Sequence, residues 1–187
     1  MRKLVLAAAL VALAAPLHAQ SPAPSPQPTA RQAAVSPATK KFVNEAAMTD
    51  MFEIQAGHLA QQKLSDAAYK DFAQMTIDDH TKTTDQLKSM APALGIELPA
   101  QLDKTHQAAI DKLNGLSGAA FARPFKSDEI SGHRQAIAAF ERYAKSGDNP
   151  DLKKWASDTL PTLRKHLQHA EALPQLAPAT TGSGMRK

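Results

Sequence analysis

The chain contains no cysteine in 187 residues, so it forms no disulfide and carries no lipid-modified cysteine anchor. Aromatic residues amount to 5% of it, with one tryptophan. Alanine is abundant where a sheet would need β-branched and aromatic side chains, a composition that suits closely packed helices. Past its first residues the sequence has no apolar run approaching the roughly 20 residues of a membrane-spanning helix, and no strand-period alternation of an outer-membrane barrel. Charge of one sign is also lacking. The formal net charge is +4, and Arg2 and Lys3 at the extreme start account for part of it. Without a basic stripe interleaved with aromatics, nucleic acid is not an expected partner. The absence of phosphate-cradling glycine loops and nucleophile motifs argues against nucleotide-dependent enzymes and hydrolases.

What the sequence does have begins with an export signal. Arg2 and Lys3 form a positive start, Leu4 to Ala15 an apolar run, and Leu17-His18-Ala19 a cleavage site. The run is too short to span a bilayer, as expected of a signal peptide. The organisation read from this is a signal over residues 1–19, a spacer rich in Pro, Ser and Ala over 20–36, a helical domain over 37–173 and a tail over 174–187. Spacer and tail are too polar and proline-rich to order themselves by burial. The expected location is the periplasm of a Gram-negative bacterium, or the medium.

The domain reads as all-α, an antiparallel four-helix bundle of two hairpins joined by a longer crossover. Ser36-Pro37 is a cap followed by a first-turn proline and opens a helix running to about Lys63. Ser65-Asp66 opens a second helix, which ends near Met90 before Pro92 and Gly95. A short helical stretch over Asp103 to Leu113 lies in the crossover, and Asn114 to Gly118 breaks it. A third long helix runs to about Lys145, with Pro124 marking either a kink or a start just before it. Asn149-Pro150 opens the last, which ends before Pro174.

Stepping each helix at roughly 100° per residue places ionisable groups on the apolar faces. Glu53 lies in the stripe of the first long helix, and Asp79, His80 and Thr83 lie with Ala68, Tyr69 and Phe72 on the second. Glu129 and His133, four residues apart, face inward on the third, and His166 does so on the fourth with His169 at the edge. His58, His106 and Asp78 fall outside. Counted from the hairpin turns, these inward groups sit at similar levels. Unpaired charge inside a bundle is costly, so they must meet each other, water or a metal ion. Carboxylates and imidazoles from facing helices are how bundles build metal sites, and this set suits a divalent transition-metal ion. Glu53, His80, His133 and His166 are the candidate ligands. Asp79 and Glu129 are auxiliary ligands or acceptors that hold the rings in one tautomer. Three readings stay open: a non-enzymatic metal-binding protein, a metal-dependent redox enzyme acting on oxygen or peroxide, and a metal-free structural or interaction module whose protein partner is not indicated.

The segments FVNEAAMTDMFEIQAGHLAQQK, FAQMTIDDHTKTTDQLK and DLKKWASDTLPTLRKHLQHAEAL carry a resemblance to an exported bacterial family, domain of unknown function 4142. Its members are often labelled outer membrane proteins. The likeness spans most of Lys41 to Leu173 and is most specific at Asp78-Asp79-His80 and around His166. It implies a ferritin-like four-helix fold, without an established activity. A ferritin-type di-iron centre is disfavoured, because Ile77, Ile130 and Leu163 stand where a Glu should precede each histidine by three residues. The family's acidic residue before the third-helix histidine is replaced by Gly132.

Overall fold

A computed structural model describes residues 35–177. Within them are five α-helices: α1 (Pro37–Lys63), α2 (Ala67–Met90), α3 (Lys104–Asn114), α4 (Gly118–Ser146) and α5 (Pro150–Ala172). A single 3-10 turn, Ala91–Leu94, follows α2. No strand occurs among the described residues. The signal, residues 20–34 of the spacer and the end of the tail lie outside them. No described helix is long and apolar enough to cross a membrane.

Polar caps set the helix starts by accepting from amides that have no partner within the helix. Ser36 accepts from the Thr39 amide and Asp66 from those of Ala68 and Tyr69. Asp103 caps Thr105 and His106, and Asn149 caps Leu152. The chain leaves the 3-10 turn through Gly95 at φ 63°, a left-handed conformation that favours glycine. Pro124 lies inside α4, which begins six residues earlier at Gly118, so the helix does not start just before the proline as one of the two expected arrangements had it. Pro161 is exposed on α5, where water can replace its missing backbone bond.

The helix pair α1 and α2 packs together, as does the pair α4 and α5. Across the pairs α1 meets α4 and α2 meets α5, while α3 lies against α1 and α4. Helices α1 and α2 approach closely at Gly57, where a Cβ would fall 2.8 Å from Ile77 Cγ1. Buried apolar residues form two separate clusters. One gathers Phe42, Phe140, Tyr143, Leu152 and Trp155, with Phe42 stacked flat on Tyr143 at 4.0 Å. The other gathers Tyr69, Phe72, Leu113, Phe121 and Phe125.

Three details depart from or extend the sequence reading. Ala68, expected on the inner face, is exposed, while Tyr69 in the same first turn of α2 is the residue that is buried. His169 is likewise exposed. Past α5 the chain stays docked for a few residues: Tyr69 Oη donates to the Pro174 carbonyl at 2.8 Å, and Leu176 packs on the second apolar cluster. His58 is exposed, and His106 lies at the surface edge-on to Phe52.

Candidate metal centre

Between the two apolar clusters lies a layer of polar side chains from four helices. Helix α1 contributes Asp50 and Glu53, α2 Thr76 and His80, α4 Glu129 and His133, and α5 His166. The ionisable members are each exposed by 5% or less. Such groups persist in a fold only where partners compensate the water they lose.

Each imidazole is anchored through its outer nitrogen. His133 Nδ1 lies 2.8 Å from the backbone carbonyl of Glu129. A carbonyl oxygen only accepts, so Nδ1 carries the proton and Nε2 is left with a lone pair. His166 Nε2 lies 2.9 Å from Asp79 Oδ2, which leaves its Nδ1 bare. His80 Nδ1 lies 2.8 Å from Asp50 Oδ1, and its Nε2 has no hydrogen-bond partner. Asp50 is held in turn by the Thr84 hydroxyl at 3.3 Å. The inner nitrogens converge. His133 Nε2 and His166 Nδ1 are 3.2 Å apart, and one nitrogen from each of His80, His133 and His166 lies within 4.8 Å of the others. With the outer nitrogens protonated, lone pairs face lone pairs, an arrangement that calls for a proton or a cation between them. A carboxylate or carbonyl behind each ring is the support that orients metal-binding histidines.

The charges follow from burial and neighbours. Burial pushes the His80 ring toward neutrality, but the Asp50 hydrogen bond and the charges of Asp50, Glu53 and Asp79 outweigh it and raise its pKa. Burial raises Asp50 in spite of its bonds to His80 and the threonines. Burial lowers His133, and the charge of His80 adds to this against that of Glu53. Burial carries His166 down to about 4 despite its bond to Asp79. Glu129 is pushed well above the usual carboxylate range by burial first and by the Glu53 charge second. A proton on Glu129 and a cation between the two carboxyls are alternative ways to compensate the pair.

Five of the six residues singled out in the sequence come together here, in two groups that share His133. His80, His133 and His166 form one, and Glu53, Glu129 and His133 the other. Asp79 sits at the rim, 37% exposed, and touches the site through His166. Sequence reasoning missed Asp50. The signal was present, since Asp50 precedes Glu53 by one helical turn and follows Ala46 by another on the same face. The positions a di-iron site would fill with carboxylates are apolar here: Ile77 packs against Gly57 and Leu163 belongs to the first apolar cluster. At Gly132 a Cβ would stand 3.5 Å from Glu53 Oε1, so an acidic side chain there would begin beside an existing carboxylate. A surface groove of 480 Å³ lined by Ser36, Lys41, Glu45 and Arg142 shares no residue with this layer.

The fold and layer define an all-helical protein with a buried histidine–carboxylate core between two apolar clusters. The chain belongs to the family Domain of unknown function (DUF4142), whose model matches residues 24–173. Among solved structures it is similar to a DUF305 fragment from Deinococcus radiodurans, with a TM-score of 0.65 at 15% identity, over 74% of this chain and 95% of that one. It is also similar to CopM in the Cu(I)-bound form, with a TM-score of 0.60 at 17% identity, over 71% of this chain and 92% of that one. At these identities the likeness shows fold. No curated protein matches the chain.

Proposed function

We propose that this is an exported, non-enzymatic metal-binding protein whose four long helices form an antiparallel, ferritin-like bundle around one transition-metal ion. The observation that carries the reading is the convergence of one ring nitrogen from each of His80, His133 and His166, rings that are each also bonded to an acceptor oxygen. Three neutral imidazoles favour zinc or copper over hard oxygen-seeking ions. Asp50, Asp79 and the Glu129 carbonyl act as positioning groups that hold each ring in the tautomer that binds. The Cu(I) named for CopM makes copper the first ion to try, and titration decides between copper and zinc. Export rests on Arg2, Lys3 and the apolar run that follows, with cleavage after Ala19. The periplasm is the corresponding location.

The test is isothermal titration of the metal-free, untagged mature chain with Cu²⁺, Cu⁺ under reducing conditions and Zn²⁺, alongside His80→Ala and His166→Ala. One ion per chain is expected in this high-affinity phase, weakened about 100-fold or more in either variant. Absence of binding at micromolar ion, or equal binding by both variants, would return the layer to a metal-free structural role.

A further inference from the structure

Three of the four carboxyl oxygens of Glu53 and Glu129 are buried without a hydrogen-bond partner: Glu53 Oε2 and both oxygens of Glu129. Each residue is only 1% exposed. Buried polar atoms are nearly always partnered, and an orphaned set points to an ion or water that belongs with it. Among the described residues, no lysine or arginine pairs with either carboxyl, and the basic group nearby is the His133 ring. His133 Nδ1 stands 3.6 Å from Glu129 Oε2 and 3.9 Å from Glu53 Oε1, and its proton is already given to the Glu129 backbone carbonyl. One oxygen from each carboxyl and the His133 nitrogen lie within 4.8 Å of one another.

We infer that Glu53 and Glu129 form a second cation position, distinct in chemistry from the three-imidazole one and adjoining it across His133. It rests on the reading of the layer given above and extends it to two ions. Oxygen donors without nitrogen or sulfur select a harder divalent ion, of the Mn²⁺ or Mg²⁺ kind, that keeps some of its own water. The imidazole trio selects zinc or copper. His133 faces both, with Nε2 toward the trio and Nδ1 toward the carboxyls, so the two positions would sense each other through one ring. The arrangement differs from a symmetric pair of Glu-x-x-His units, since one position is nitrogen-rich and the other oxygen-rich.

The probe is Mn²⁺, with the free ion followed by its electron paramagnetic resonance signal, added to protein already holding one equivalent of diamagnetic Zn²⁺. Wild type is expected to bind one Mn²⁺ per chain without releasing zinc. Glu53→Gln and Glu129→Gln, which keep side-chain shape, should each weaken Mn²⁺ by about tenfold or more and leave zinc stoichiometry unchanged. His166→Ala should lose zinc while keeping Mn²⁺. Mn²⁺ that displaces zinc one for one, or binds wild type no better than the double Gln variant, overturns the second position. Zinc failing to bind while Mn²⁺ does would overturn the imidazole reading alone. Circular dichroism checks the folding of each variant, and wild-type stoichiometry decides the matter if the Gln variants do not fold.

Discussion

The two apolar clusters and the polar layer between them are built from the same four helices but do opposite things for stability. The end around Phe42, Tyr143 and Trp155 and the end around Tyr69, Phe121 and Phe125 bury large side chains that gain from leaving water. The layer of Asp50, Glu53, His80, Glu129, His133 and His166 buries groups that lose by it. A protein selected for stability alone would fill that level with leucine. Such a level in the middle of the fold costs stability, and the ends supply the stability that tolerates it.

The largest effect should come from an end. Phe125 is fully buried, between Tyr69, Phe72 and Phe121. Phe125→Ala is expected to cost about 3–5 kcal/mol in urea denaturation, through lost transfer and the cavity left behind. A cost below about 1 kcal/mol would mean that this cluster does not hold the fold.

The layer should reveal itself through pH. In the folded, metal-free protein the His166 pKa is about 4, against an ordinary value of 6.5. Between those values the unfolded chain binds the extra proton, so stability contributed by His166 is present above pH 6.5 and lost as pH falls toward 4. The loss amounts to about 3 kcal/mol at most. His133 is lowered too and acts in the same direction. Glu129 opposes both, since its folded carboxyl keeps a proton above the ordinary 4.5 and loses stability as pH rises from there. The contribution of His166 is isolated as the difference between wild type and His166→Asn, measured from pH 7 to pH 4. A flat difference would contradict the buried, neutral ring.

Replacing a layer carboxyl by an apolar group tests the contrast from the other side. Glu129→Leu is expected to stabilise the metal-free protein by about 1–3 kcal/mol, because it removes a buried polar group with no partner. The same change should abolish Mn²⁺ binding. Destabilisation of that size instead would show that Glu129 is already satisfied within the protein.

The ends and the layer were not equally legible in the sequence. Helix limits could be read from Ser36, Asp66, Asp103 and Asn149, because a cap acts locally and leaves its mark in neighbouring residues. The inward direction of Glu53, His80, Glu129, His133 and His166 was legible from helical period alone. Asp50 shares that inward period, but its role was hidden because it depends on His80, which lies 30 residues away. The division into a nitrogen group and an oxygen group was hidden for the same reason: it depends on which ring nitrogen meets which oxygen, and sequence spacing carries no such information. Nor did the pattern show that the chain stays docked at Pro174, since that contact is made by the Tyr69 hydroxyl from a distant helix.

Two glycines give the smallest and finest test of the same contrast. At Gly57 a Cβ would lie 2.8 Å from Ile77 Cγ1 and 3.2 Å from the Ala73 carbonyl, both fixed parts of the α1–α2 contact. Gly57→Ala should therefore destabilise by about 1–3 kcal/mol. At Gly132 the nearest atom is Glu53 Oε1 at 3.5 Å, an ordinary contact, and the backbone is helical. Gly132→Ala should stabilise by about 0.5–1 kcal/mol through reduced freedom of the unfolded chain. It should leave ion binding unchanged, while Gly132→Asp adds a carboxylate beside Glu53 and should tighten Mn²⁺ more than Zn²⁺. Opposite signs for the two alanine variants in thermal melts would show that close helix approach is needed between α1 and α2 and that α4 has room to spare over the carboxyl pair. Matching signs would mean that the layer is packed as tightly as the ends.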